Sequence, residues 1–373
     1  MATYHVIRHL LFKLDPERAH HATFTCVRYL PTFALHMLEE ALAFEDKRLK
    51  QEIWGMTFTN PIGIAPGLDK NAEHLMLWQA LGAGFAEIGS ATARPSSGNP
   101  PPRLFRLPRD RALINRMGLN NEGADSISRR LSKKPSAFRI PLGINIAKTH
   151  DPNILGSSAI EDFRYSFRRL APLADYIALN ISCPNTAEGK TFEVPEALEA
   201  LLRVISTERQ TLQLPVPILI KFSPPAPNTP LTAYTPLIKI ALEQGIDGFI
   251  ATNTASDRTD VQTPKEELQQ IGPGGLSGPP LRKRATELTR YLYQQTGGQI
   301  PIIGVGGIDS PEAAYERIRA GASLLELFTG LIYEGPTLIR TLKQGLIDLL
   351  ERDGFTHISE AIGADVPQVI SAV

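Results

Sequence analysis

Eight short apolar runs punctuate the chain from residue 61 onward: PIGIAP (61–66), FAEIGS (85–90), PLGINIA (141–147), YIALNIS (176–182), VPILIKFS (216–223), DGFIATN (247–253), PIIGVGG (301–307) and SLLELFT (323–329). Runs this short and this continuous suit strands that are buried on both faces. Stretches with helical spacing separate most of them, among them EHLMLWQALGA, EDFRYSFRRLAPL, PEALEALLRVISTERQ and PEAAYERIRAGA. Alternation of strand and helix implies right-handed crossovers and a parallel sheet. Eight units over this length predict an α/β fold closed into a (β/α)8 TIM barrel with insertions. An open, doubly wound sheet is the alternative, but its dinucleotide site would need GxGxxG after the first strand, and none is present.

The first residues follow a different rhythm. YHVIRHLLFKL carries Val6, Ile7, Leu10, Leu11 and Leu14 at helical spacing. Asp15-Pro16-Glu17 then restarts a helix with a cap residue, a first-turn proline and an early acid. A third apolar segment, TFALHMLEEALAF, follows Pro31. The chain thus divides into an N-terminal helical extension, residues 1–50, and a barrel over residues 51–373 that opens with a strand or hairpin at GMTFTN closing its floor. The extension is either a cap packed on the barrel or an amphipathic unit that meets a membrane or lipophilic ligand.

Composition narrows the function classes. Lys plus Arg equals Asp plus Glu, 39 each, so no global field favours nucleic acid. The two cysteines, Cys26 and Cys183, lack the spacing of a zinc or disulfide framework, which implies a reducing compartment. No apolar stretch is long enough to cross a bilayer, and His5, Arg8 and His9 interrupt any secretory h-region, so an intracellular protein is expected.

A barrel places its strand C-termini, and its chemistry, on one rim. Here the rim would collect Gly67, Asp69, Lys70, Ser90, Asn145, Asn180, Ser182, Cys183, Asn185, Lys221, Thr252, Asn253, Thr254, Thr329 and Gly330. The long loop after the second run, 91–140, holds its own short strand, RLFRL, and adds Asn115, Arg116, Asn120 and Asn121. Carboxylates are scarce in this set, which argues against a two-carboxylate glycosidase and against a divalent-metal site; no metal is expected. Amides are plentiful, and their paired donors and acceptors suit a flat heterocycle with imide and carbonyl groups. The glycines of GVGG and Thr329-Gly330 suit a phosphate, or else only tight turns. Lys221 ends an apolar strand, where an unpaired charge is costly, and so points to an anionic partner. Cys183 is either a small buried hydrophobe or, lacking a neighbouring histidine, a thiol that accepts a proton.

Taken together, GLDKN (67–71), NRMGLNN (115–121), GINIAK (143–148), NISCPN (180–185), IKFSP (220–224), ATNT (251–254), GGLSG (274–278) and IGVGGID (303–309) resemble the dihydroorotate dehydrogenases over about residues 54 to 345. LDPERAH (14–20) and PRLFRL (102–107) resemble their membrane-associated, quinone-reducing branch. The resemblance implies one non-covalent FMN per chain and oxidation of (S)-dihydroorotate to orotate in pyrimidine synthesis. It places Pro66, Gly67, Leu68, Asp69, Lys70, Ser90, Asn145, Asn180, Lys221, Thr252, Gly278, Gly307, Phe328 and Thr329 around the FMN. Lys70, Asn115, Arg116, Met117, Gly118, Leu119, Asn180, Asn185, Asn253 and Thr254 would hold the substrate. By the same resemblance Cys183 is the base that takes the C5 proton while hydride leaves C6, and Lys221 stabilises the reduced flavin. Quinone would be the co-substrate, reached between the N-terminal helices near His20 and Arg106. Peripheral attachment to the cytoplasmic side of a cell membrane would follow, with no nucleic acid and no obligate protein partner.

Three positions depart from that branch. Its base is usually serine, cysteine being the mark of the soluble branch; NRMGL stands where phenylalanine usually precedes the paired asparagines; Phe328 stands where tyrosine is common. The alternatives are therefore a soluble-type dihydroorotate dehydrogenase that uses fumarate or NAD, or a barrel that binds a phosphorylated metabolite without redox chemistry.

Overall fold

The computed structural model describes residues 2–182 and 192–367. All eight apolar runs form the staves of one closed parallel barrel: β1 (Ile62–Ile64), β2 (Phe85–Ala91), β3 (Leu142–Ile146), β4 (Tyr176–Asn180), β5 (Ile218–Phe222), β6 (Gly248–Ala251), β7 (Ile302–Val305) and β8 (Leu324–Leu327). They stand around the ring in chain order, with β8 beside β1. The expected (β/α)8 TIM barrel is the observed fold.

Glycines make room for the rings that fill the barrel. A Cβ on Gly63 would lie 2.4 Å from the Phe85 ring, and one on Gly143 would lie 2.1 Å from that of Tyr176. Below these rings Gln51–Ile53 and Met56–Phe58 form an antiparallel hairpin. Phe58, fully buried, plugs the floor against Phe85 with ring centroids 5.6 Å apart. The floor is thereby sealed with apolar side chains.

Over that rim two loops distant in sequence build a small sheet. Ala112–Asn115 is its central strand, flanked by Leu104–Leu107 and by Gly275–Ser277, all antiparallel. RLFRL is a strand as its sequence predicts, and its sheet is completed by Ala112–Asn115, which runs into the NRMGL motif, and by Gly275–Ser277 of GGLSG.

Three helices, α1 (Ala2–Leu11), α2 (Pro16–Arg28) and α3 (Thr32–Leu42), precede the barrel. Asp15 caps α2, its carboxylate accepting the Arg18 N–H at 3.0 Å. Polar contacts fasten the helices to the rim side of the barrel. Tyr4 Oη donates to the Ile332 carbonyl at 2.7 Å, and Arg103 meets Glu17 at 2.7 Å. The outer faces remain apolar and uncovered: Val6, Leu10, Tyr29, Phe33 and Met37 are 59% to 80% exposed. Among the described residues, no helix is long and apolar enough to cross a membrane.

Candidate active site

One cavity of about 760 Å³ runs from the interior end of the barrel strands up between α1, α2 and α3. Most of the residues singled out from the sequence border it: Pro66, Gly67, Leu68, Lys70, Ser90, Asn180, Lys221, Thr252, Gly278, Gly307, Phe328 and Thr329. So do Asn115, Met117, Gly118, Leu119, Asn253 and Thr254, and at the helical end His20 and Arg106.

Hydrogen bonds order the amides at the strand ends. Asn180 Nδ2 donates to Ser90 Oγ at 3.0 Å, and Asn253 Nδ2 donates to Asn180 Oδ1 at 3.1 Å. Ser90 Oγ in turn donates to Asn145 Oδ1. Asn253 Nδ2 also donates to Ser182 Oγ, which donates to the Lys221 carbonyl at 2.8 Å. The chain of donors locks each amide in one orientation, so the cavity presents fixed donors and acceptors rather than free rotors.

Two of the expected residues turn their side chains elsewhere. The Asp69 carboxylate accepts from the Glu73 and His74 N–H groups, both at 2.8 Å, and from Trp78 Nε1, so it orders the turn after β1. Arg116 reaches the Ile271 and Pro273 carbonyls and lies over the Phe105 ring, 4.5 Å from its centroid, holding the small sheet over the mouth. Asn145 is fully buried behind Ser90 and touches the cavity through that hydroxyl. Cys183 and Asn185 lie outside the described residues.

The interior holds charges that a reading of the strand ends passes over. Glu87 on β2 and Glu326 on β8 are both about 1% exposed. Glu87 accepts from Asn145 Nδ2 and from Tyr176 Oη, each at 2.9 Å. Glu326 Oε2 lies 3.4 Å from Lys221 Nζ, and both residues border the cavity. Burial and the nearby Glu87 push the Glu326 carboxyl well above the ordinary range, against the pull of Lys221. The signal was present in the sequence as an acid inside each of the apolar runs FAEIGS and SLLELFT.

Toward the helices the electrostatics change. Burial pulls the Lys70 ammonium down to about 8 while its Nζ donates to the Gly67 carbonyl at 2.9 Å. Burial, with the positive charges of Lys70, His21 and His74, holds His20 at about 3, so its imidazole is neutral at ordinary pH. His20 packs edge-on to Phe24, centroids 4.5 Å apart, and Phe24 in turn meets His74 and Trp78. This end of the cavity is rich in aromatic rings, with Lys70 and Arg106 at its edge.

The cavity fits a flavin mononucleotide. Amides, hydroxyls and two lysines crowd the strand ends, the donor set that an imide-bearing ring requires. At the other side Gly278 (φ +101°), Gly306 (φ +107°) and Gly307 (φ +74°) line the cavity with bare backbone, where side chains would be strained. Beside them Thr329 begins the helix Thr329–Glu334, and its hydroxyl lies 2.8 Å from that of Ser277. On the NRMGLNN loop Asn120 Oδ1 also borders the cavity, buried and without a partner, an acceptor left for a ligand.

Comparisons with known proteins agree with this geometry. The family model described as dihydroorotate dehydrogenase matches residues 48–350. A protein of Nocardia farcinica named dihydroorotate dehydrogenase (quinone) is 41% identical over 366 residues, covering 97% of each chain. One of the same name from Synechocystis sp. is 41% identical and covers 95% of this chain and 94% of its own. The crystal structure of an Eimeria tenella DHODH in complex with ferulenol superposes with a TM-score of 0.80 at 33% identity, covering 90% of this chain and 96% of that one.

Proposed function

The chain belongs to the dihydroorotate dehydrogenase family, and we propose a division of its one cavity between the two half-reactions of that enzyme. It is an FMN-dependent oxidoreductase that oxidises dihydroorotate to orotate in pyrimidine biosynthesis, with a quinone as acceptor. The observation that carries the reading is the continuity of the cavity, polar and amide-lined at the strand ends, aromatic between the helices.

FMN, when bound, supplies the two-electron relay between the substrates. Ser90, Asn180, Lys221 and Thr252 would face its ring, and Gly278, Gly307 and Thr329 its phosphate. Lys70, Asn115, Asn180, Asn253 and Thr254, with Asn185, would hold the flat substrate by its carbonyl, imide and carboxylate groups. Cys183 would take the C5 proton. The fixed amide chain supports this reading, since a substrate held by non-rotating partners meets its base with little entropy left to lose.

The extension, residues 1–50, would serve quinone access, and residues 51–373 the chemistry. His20 stays neutral and Arg106 is held, its Nη1 donating to the Leu14 carbonyl at 2.8 Å with its guanidinium over Phe12. An aromatic funnel with Arg106 fixed at its side suits a hydrophobic ring with carbonyl oxygens. The bare apolar faces around Tyr29, Phe33 and Met37 would rest on the cytoplasmic surface of a membrane, bringing the funnel to where such quinones dissolve.

The decisive experiment is a visible spectrum of purified protein, followed through anaerobic dihydroorotate and then a quinone. A yellow protein bleached by the first and restored by the second is expected. A colourless protein, or one restored only by fumarate or NAD, overturns the assignment.

A further inference from the structure

Two carboxylates and one ammonium share the buried interior of the barrel at the base of the cavity. Glu87 is already satisfied, since both of its oxygens accept, one from Asn145 Nδ2 and the other from Tyr176 Oη. That donor set is what an ionised carboxylate needs. Glu326 differs. Its Oε2 faces Lys221 Nζ, whereas its Oε1 is fully buried with no hydrogen-bond partner. An ionised oxygen left so would bear the whole desolvation cost, while a hydroxyl there has a neighbouring acceptor in Glu87.

We propose that Glu326 is a positioning residue for Lys221, holding a proton on Oε1 directed at Glu87 so that it orients the ammonium without neutralising it. Glu87 and Lys221 then balance, and the interior is neutral. Were both acids ionised, the net charge beneath the cavity would be negative, and reduction of a bound ligand would be opposed. Register supports the role: Glu326 sits opposite Gly63 on β1, the strand that separates β8 from β2, so no side chain at that position stands between the two acids. Burial and Glu87 both raise the Glu326 carboxyl, in agreement with a retained proton. The groups facing Glu326 are Glu87 on β2, Tyr176 on β4 and Lys221 on β5.

The proposal rests on the FMN reading above, and its test separates the two. Bound FMN in the wild-type holoenzyme, Glu326→Gln and Glu326→Leu is titrated to obtain its two-electron reduction equilibrium. Gln keeps the shape and the neutrality, so its equilibrium should stay within about threefold of wild type. Leu frees the ammonium and should shift it about tenfold toward oxidised flavin, about 30 mV for two electrons. A tenfold shift toward reduced flavin in Glu326→Gln would reveal a lost negative charge and overturn the proposal, as would an unchanged Glu326→Leu. Infrared spectra at neutral pH decide independently, even should Glu326→Leu not fold. A protonated-carboxyl band is expected in wild type and absent in Glu326→Gln; its absence from wild type, or its survival in the variant, overturns the proposal. A wild-type protein that binds no flavin overturns the cofactor assignment instead, and the infrared band still decides the state of Glu326.

Discussion

Arg103 reaches from the loop before the small sheet to Glu17 on α2, and both Arg103 Nε and Nη2 donate to its carboxylate, at 3.0 and 2.7 Å. The side chains are only 12% and 14% exposed, and Arg103 Nη1 also donates to the Ser97 and Asn99 carbonyls. One guanidinium therefore joins the helical extension to the cover of the barrel mouth. Arg103→Ala should cost about 3 kcal/mol, because it strands a largely buried carboxylate. Stopped-flow traces should show slower reoxidation by quinone with reduction by dihydroorotate little changed. Equal damage to both phases would contradict the joint's local role.

For Cys183 the expectation is an upward move of the alkaline limb of the pH profile in Cys183→Ser, since a hydroxyl is harder to deprotonate than a thiol. Cys183→Ala should lose about 10²- to 10⁴-fold in flavin reduction, the usual worth of a base. A pH–rate profile identical in the Ser variant would remove Cys183 from the chemistry.

His20 makes stability depend on pH. Its folded value, about 3, lies below the ordinary 6.5, so between those limits the unfolded chain binds more protons. Stability from this group is complete above about 6.5 and is lost as pH falls, at up to about 1.4 kcal/mol per unit. Thermal unfolding between pH 7 and pH 4 should be visibly flatter in His20→Phe than in wild type; parallel curves would show that His20 is not held neutral.

Gly67 has φ +103°, and a Cβ there would sit 3.0 Å from the Phe328 ring. Gly67→Ala should strain the backbone by about 1–3 kcal/mol and push that ring toward the cavity. Loosened flavin is the expected result, measured as roughly tenfold or greater weakening in a fluorescence release assay. Unaltered retention would mean that the ring yields at no cost.

At the outer face, Phe33→Glu with Met37→Glu should reduce co-sedimentation with lipid vesicles. Reduction of the flavin by dihydroorotate should be untouched, because both residues are more than 60% exposed and outside the cavity lining. Undiminished vesicle binding would place the membrane contact elsewhere.

The barrel was legible because buried strands carry a local signature, and all eight runs became staves. The small sheet was legible only in RLFRL. Its partner strands pair Asn115 with Gly275, residues whose meeting depends on barrel closure and leaves no local trace. The amides at the rim could be read because strand ends announce them. Glu87 and Glu326 could not be found that way, since they point inward from mid-strand. Arg116 shows the converse limit: a rim cation in sequence, it stabilises the cover over the mouth, because the Ile271 and Pro273 carbonyls take it first.

That small sheet also bears on the order in which the molecule is made. Contacts between segments so far apart in sequence close late, after the entropy of the intervening loop has been overcome. A nascent chain thus carries Lys70, Ser90, Asn180 and Lys221 well before Gly275–Ser277 leaves the ribosome to roof them over, while Gly307 and Thr329 follow later still, so the contacts for the flavin ring are made before those for its phosphate.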